Sequence, residues 1–376
     1  AGLQQGGIRA FFDKAAAYPN AIQLSIGEPD LNTPTPIVEA AYSAMREGKT
    51  HYTANAGAQP LREAVARYLH GQGVQSDPNG GIVITCGGME AVYLAIMCLV
   101  DEGDEVLIQD PQWVNYRSQV RFAGGIPVPV PVYEEDDFSL RPEQIESRVT
   151  PRTKILMLNS PNNPTGSILD EKSLRAIADV AIKHDLFVLS DEVYSELLYD
   201  GHVHRSIAAL PGMRERTLVI NSFSKSFAMT GWRLGFASGP SHVVKKMTVL
   251  QENVAACAPA PAQYAALEAL GSMCQVEEMR VLYAKRRDTL VEGLNAIPGI
   301  VCRKPAGAFY AFPNISAVMT DDDRFATALL EKANVVTVPG SCFGEGGKGY
   351  LRIAYSNSVE NIKEALCRID AFIRSL

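Results

Sequence analysis

Ile220-Asn-Ser-Phe-Ser-Lys-Ser-Phe-Ala-Met-Thr-Gly-Trp-Arg-Leu-Gly235 is the stretch that decides the fold. Leu218-Val219-Ile220 is an apolar, β-rich run, so Asn221 to Ser226 leave the end of a buried strand. Lys225 follows at once among Ser222, Ser224 and Ser226, and Arg233 stands at the mouth of a second apolar run, Leu234 to Ala237. An amine at a strand exit, with hydroxyls and a guanidinium nearby, suits a carbonyl ligand that also carries a phosphate. The amine forms the imine, and the hydroxyls and arginine hold the anion. A lone lysine on a turn is ordinarily solvated, so the reading depends on what the other strand ends carry.

Working outward, the same strand–loop–helix unit recurs. Leu186 to Ser190 runs into Asp191-Glu-Val-Tyr194, and a carboxylate at the end of a buried run needs a cationic partner unless it caps a helix. The apolar strand Lys154 to Leu158 ends in Asn159-Ser-Pro-Asn-Asn163-Pro-Thr-Gly166, an Asn-Pro turn, and the helix Asp170 to His184 follows. Glu105 to Gln109 ends in Asp110-Pro-Gln-Trp113-Val-Asn-Tyr116, where the indole is either core or stacked on a planar ring. Ile82 to Thr85 turns at Cys86-Gly87-Gly88-Met89 into an apolar helix, Glu90 to Val100. Glycines just before a helix start expose main-chain N–H groups to an anion, yet neither a Gly-x-Gly-x-x-Gly nor a Walker pattern is present there.

Nearer the N-terminus, Gly7 to Phe12 reads as an arm or short helix, and Ile22 to Ile26 as a strand ending in Gly27-Glu-Pro-Asp30. Glycine there permits close backbone approach to a ligand, or simply a turn. Helices are expected over Pro36–Glu47 and Gln59–His70, with His51-Tyr52-Thr-Ala-Asn-Ala-Gly57 between them. Beyond the lysine segment, helices are expected over Ser241–Ala256 and from Pro261 through the 274–297 stretch. Short strands follow near Val301, Phe309 and Val335, and a last helix over Val359–Ile373. Arg352, inside the strand Tyr350–Ser356, is flanked by apolar residues and needs an anion, either a ligand or a protein carboxylate. Gly344 to Gly349 beside it reads as a flexible turn.

Composition narrows the function classes. A chain of 376 residues implies one large and one smaller domain. The net charge of -7 and the absence of a Lys/Arg run argue against a nucleic-acid surface. The longest apolar stretch, Ala91 to Val100, is too short to span a bilayer, and no signal-peptide pattern is read. Seven scattered cysteines without Cys-x-x-Cys indicate neither a zinc site nor a disulfide framework and fit a reducing cytoplasm. His202-x-His204 has metal-ligand spacing but no companion cluster, and reads as a solvated loop.

Ser-x-Ser-Lys with an arginine eight residues on resembles the cofactor-lysine segment of class I pyridoxal-phosphate aminotransferases, and the other motifs fall in that family's order from Gly27 to Arg352. The resemblance implies an α/β, fold-type I transferase: a mostly parallel mixed sheet sandwiched by helices, plus a smaller α+β domain. Residues 1–45 would form an N-terminal arm and part of the small domain, 46–275 the large cofactor domain, and 276–376 the rest of the small one. It implies that Lys225 holds pyridoxal 5'-phosphate as an imine and that Asp191 pairs with the pyridine nitrogen. Tyr194 and Asn163 would donate to the ring oxygen, and Trp113 would stack on the ring. Gly88, Met89, Ser222, Ser224 and Arg233 would surround the phosphate, with Tyr52 reaching that of the partner subunit in a homodimer. Gly27, Asn163 and Arg352 would take the substrate α-carboxylate.

The activity so implied is ping-pong transfer of an amino group between an L-amino acid and a 2-oxo acid such as 2-oxoglutarate. Dicarboxylate-selective relatives often carry lysine where this chain has Met89, which argues against strict aspartate selectivity and leaves an aromatic, aspartate or broad donor range, with Arg9 in the arm as the candidate partner for a distal carboxylate. A carbon–sulfur β-lyase of the same fold would keep every one of these residues. A DNA-binding regulator would need a further domain, and a catalytically dead binding protein would have lost Lys225.

Overall fold

The computed structural model describes residue 11 and residues 13–376. Its twelve strands are β1 (Ile22–Gln23), β2 (Ile82–Thr85), β3 (Glu105–Asp110), β4 (Ile126–Pro131), β5 (Thr153–Asn159), β6 (Phe187–Asp191), β7 (Thr217–Ser222), β8 (Gly235–Ser238), β9 (Tyr310–Ala311), β10 (Val335–Val336), β11 (Val338–Pro339) and β12 (Leu351–Ala354). Seven of them make one sheet in the order β2-β8-β7-β6-β5-β3-β4. The neighbours from β7 through β4 pair parallel, whereas β8 runs antiparallel to both β2 and β7.

The sheet is covered on both faces, which is why its strands read as near-continuous apolar runs. Alternation assigns the faces. Val106, Ile108, Ile155, Met157, Leu189, Leu218 and Ile220 pack under helices Gly88–Leu99 and Ser241–Val254. Leu107, Leu156, Leu158 and Val188 point the other way, against helix Glu171–Lys183. That helix begins where Asp170 Oδ1 accepts the Ser173 amide at 2.7 Å, the N-cap bond that satisfies an otherwise orphaned donor.

A second core gathers the C-terminal part. β9, β11 and β12 form an antiparallel sheet of order β11-β12-β9, and β1 pairs parallel with β10. Phe11, Ala15 and Leu24 from the N-terminal end are buried with Leu290, Phe309, Phe325, Ile353 and Phe372. Ile37 and Ala41 of helix Thr35–Arg46 pack instead with Leu61, Val65 and Ala266.

Three expectations need correction. β1 stops at Gln23 rather than Ile26, because beyond Leu24 the main chain turns its carbonyls toward side chains from other segments. The helical stretch after Pro261 is two helices, Ala260–Gly271 and Met273–Asn295, broken at Ser272. Gly344 to Gly349 contains one short 3₁₀ turn, Glu345–Gly347, that follows another at Gly340–Phe343 and is folded tightly on the end of β3: a Cβ on Gly344 would lie 1.8 Å from Asp110 Oδ1, and one on Gly346 2.7 Å from the Asp110 carbonyl. Close packing, not flexibility, requires glycine there.

Candidate active site

The C-terminal ends of β3, β5, β6 and β7, with the start of helix Gly88–Leu99, surround a cavity of about 300 Å³. Strand ends are where an open α/β sheet offers a crevice to ligands. Gly27, Gly88, Met89, Trp113, Asn163, Asp191, Tyr194, Ser222, Ser224, Lys225, Arg233 and Arg352 all line it. Tyr52 does not. It is 89% exposed on the loop before helix Gln59–Gly71. Arg9 lies outside the described residues.

Asp191 is the last residue of β6 and is 5% exposed. Tyr116 Oη donates to its Oδ2 at 2.5 Å, and the Val193 amide to its Oδ1 at 3.2 Å. Burial pushes its carboxyl up to about 6 against these two bonds. Among the described residues no arginine or lysine makes an ion pair with it. It is a buried carboxylate aimed into a cavity and short of a cation.

Lys225 stands on a one-turn helix, Phe223–Ser226, whose cap is Ser222: Oγ accepts the Ser224 amide at 3.1 Å. Its Nζ donates to the Gly27 carbonyl at 2.6 Å. Burial lowers its pKa to about 8, opposed by the Glu28 carboxylate and reinforced by the Arg352 and Arg233 guanidiniums. An amine so placed has a neutral, nucleophilic fraction near neutral pH.

Ser222 Oγ bridges the Leu234 carbonyl at 3.0 Å and Ser224 Oγ at 2.9 Å. Arg233 adopts φ 53°, its Nη1 donating to the Thr230 carbonyl at 2.8 Å. The guanidinium lies so close to Gly87 that a Cβ there would meet Nη2 at 2.7 Å, and Gly87 itself takes φ +84°. Two constraints therefore require glycine at this helix start. The outcome is a cup of amides, hydroxyls and one guanidinium, suited to a phosphate.

Arg352 on β12 is 3% exposed. Nη1 donates to Asn163 Oδ1 at 3.1 Å and Nη2 to the Ser25 carbonyl at 2.7 Å, while Nε has no partner. The guanidinium sits over the Tyr310 ring at 4.6 Å and the Phe343 ring at 4.9 Å. No protein carboxylate pairs with it among the described residues, so the salt-bridge reading of Arg352 is not what the fold contains. Desolvation lowers its pKa, because no carboxylate offsets the cost of burying the charge.

Tyr194 Oη lies 2.9 Å from Tyr310 Oη. Burial raises the pKa of both, and of Tyr116. Trp113 meets the Tyr116 ring edge-on at 5.2 Å. Met89 Sδ accepts from Asn115 and Gln119 side-chain amides, both at 3.4 Å. Four lining residues carried no sequence assignment: Tyr116, Asn159, Val193 and Tyr310. Tyr116 closes the Trp113-Val-Asn-Tyr116 segment, and its i+3 spacing from Trp113 is a local signal that the two rings meet. Nothing local marked Tyr310.

His202-x-His204 is half a solvated loop. His202 is exposed, but His204 Nε2 lies 2.8 Å from Glu192 Oε2, a carboxylate also bonded by Ser190 and Ser206 hydroxyls at 2.8 and 2.7 Å. That buried partner lies just past the end of β6, out of reach of a local reading. Among the described residues no cluster of metal ligands occurs, and no helix is long and apolar enough to cross a membrane.

Known proteins agree with this architecture. Residues 19–369 match the sequence profile of aminotransferase class I and II. The chain is 46% identical to an aspartate aminotransferase of Pyrococcus abyssi and 45% to aromatic-amino-acid aminotransferase 2 of Thermococcus litoralis, each match covering 98% of this chain and 95% of the relative. A crystal structure of an aromatic aminotransferase from Pyrococcus horikoshii superposes with a TM-score of 0.93 at 43% identity, covering 97% of this chain and 99% of that one. With the profile, the relatives and the fold in accord over nearly the whole length, the chain belongs to the class I and II aminotransferases and is an enzyme of amino-group transfer.

Proposed function

We propose that the cavity holds pyridoxal 5'-phosphate between Lys225 and Asp191 and that the enzyme uses it to move the amino group of an L-amino acid to a 2-oxo acid such as 2-oxoglutarate. The observation that carries this is a pair of groups lining one cavity: a buried carboxylate short of a cation and an amine of lowered pKa. A pyridine nitrogen kept protonated satisfies the first, and the phosphate cup at Gly88, Ser222, Ser224 and Arg233 takes the other end of the same molecule. Once bound, the cofactor supplies an electron sink for the electrons left when the α-proton departs.

The chain's own residues do the rest. Asp191, backed by Tyr116, stabilises positive charge on the ring nitrogen. Lys225 Nζ would hold the cofactor covalently at rest and, once the substrate amine had displaced it, would carry the α-proton from the substrate carbon to the cofactor carbon. Arg352 forks around the substrate carboxylate, with Asn163 and the Gly27 main chain beside it. Asn163 and Tyr194 would donate to the ring oxygen, Met89 would border the phosphate and Trp113 would cover a ring face, all four lining the same cavity.

Tyr52 is exposed and does not line its own cavity, which suits a homodimer in which it reaches the phosphate cup of a second copy. Seven free cysteines suit a reducing, cytoplasmic setting. The domains follow the same reading, with residues 46–275 as the cofactor domain and 276–376, joined by part of 1–45, as the smaller one.

The two substrate classes named among the relatives, aspartate and aromatic amino acids, are the donors to test. In a screen of donors with 2-oxoglutarate, aromatic amino acids are expected to give their oxo acid and glutamate one for one, with aspartate at a comparable or lower rate. Pyruvate release from cystathionine without any acceptor would favour the lyase instead, a reading to which the transferase names of the relatives lend no support.

A further inference from the structure

The two cations that the proposed chemistry needs, Lys225 and Arg352, both donate to main-chain carbonyls of one short segment. Arg352 Nη2 holds the Ser25 carbonyl at 2.7 Å, and Lys225 Nζ holds the Gly27 carbonyl at 2.6 Å. The segment then continues over the lysine loop. Thr230 Oγ1 donates to Glu28 Oε2 at 3.0 Å, Thr33 Oγ1 to the Ala228 carbonyl at 2.6 Å, and Trp232 Nε1 to Thr33 Oγ1 at 2.9 Å. Residues 25–33 thus form a strap between the two cations and the 228–232 turn.

One anchor of this strap is ionic and leads elsewhere. Asp30 takes a two-pronged bond from Arg286, Nη1 to Oδ1 at 2.7 Å and Nη2 to Oδ2 at 2.9 Å. Tyr283 Oη adds a longer contact to Oδ1 at 3.4 Å, and the guanidinium lies 5.5 Å from the Tyr283 ring centroid. Arg286 is on helix Met273–Asn295 and its side chain is 7% exposed. A bidentate pair of this kind fixes direction as well as distance. Neither residue touches the cavity.

We infer that the Asp30–Arg286 pair is a positioning device: it ties the 25–33 strap to the long helix and so holds the Ser25 and Gly27 carbonyls against Arg352 and Lys225. It thereby sets the orientation of the carboxylate fork and the shielding of the lysine amine. The inference rests on the proposed roles of those two residues. The groups that face Lys225 are Glu28 on the strap, Asp191 at the end of β6, Arg233 on the following turn and Arg352 on β12, with Tyr194 and Tyr310 among the cavity walls. Releasing the strap lets water reach the amine, and desolvation is the main cause of its lowered pKa, so its titration moves upward toward the ordinary 10.5.

The test uses the full chain without cofactor first. Competitive acetylation of Lys225 against pH, read by peptide mass spectrometry, is expected to give a midpoint near 8 for the wild type. In Asp30→Asn and Arg286→Ala the midpoint is expected to rise by about one pH unit, with Arg286→Lys between them and the wild type. In the loaded enzyme the same variants are expected to raise KM for the amino acid about tenfold while kcat changes by less than about threefold. If Arg286→Ala fails to fold, Asp30→Asn and Arg286→Lys carry both readings. An unchanged midpoint and KM alongside a lowered Tm would show the pair to be a stabilising contact only and would overturn the inference. The labelling step needs no cofactor, so it stands apart from any failure of the cofactor assignment.

Discussion

Lys225→Ala is expected to lower turnover by about four orders of magnitude, since one amine is asked both to hold the cofactor and to carry the substrate's proton. Cofactor affinity is expected to fall much less. The phosphate cup and Asp191 are untouched by the change, so the variant retains cofactor at saturating concentration and loses it on gel filtration. Single-turnover absorbance and steady-state product formation check the two halves separately. Wild-type turnover in this variant would remove Lys225 from the chemistry altogether.

Asp191→Asn is expected to cost about a thousandfold in kcat, the range seen when a preorganised electrostatic partner is removed. Its effect on the cofactor-free protein should have the opposite sign. Burial has raised the carboxyl from 3.8 to about 6, so the fold favours the protonated form. The stability that this form contributes is intact below 3.8 and is lost as pH rises through about 6, a difference of roughly 3 kcal/mol at its fullest. Above that range the neutral asparagine removes the penalty, so the cofactor-free variant is expected to melt at a higher temperature than the wild type. Adding pyridoxal phosphate should then raise the wild-type Tm strongly and the variant's weakly. Thermal melts on either side of pH 6, with and without cofactor, decide it. Equal cofactor increments for both proteins would contradict the pairing of Asp191 with the ring.

Much of this was legible in the sequence because the central sheet is buried on both faces. Such strands leave long apolar runs, and a polar residue at the end of a run stands out. Asp191 closes one, Asn163 and Lys225 stand a few residues past the ends of two others, and helices Thr35–Arg46 and Gln59–Gly71 lie within a residue of the expected bounds. What escaped reading depends on partners distant in sequence. Tyr310 gains its place from Tyr194, more than a hundred positions earlier. His204 is drawn inward by Glu192 on a different element, although its own neighbourhood is polar. Gly344 and Gly346 look like slack until the end of β3 is set against them. The break between Gly271 and Met273 did leave a local sign, a glycine at a helix end, but the apolar pattern continues across it and hides the stop.

The central claim is that Lys225 and Asp191 grip the two ends of one ring. It is tested most directly by loading the enzyme with pyridoxal phosphate, reducing with borohydride and mapping the phosphopyridoxyl mass by peptide. A single adduct on the peptide containing Lys225 is the expected result, weakened in Asp191→Asn. An adduct at another lysine, or none in the wild type, would contradict it.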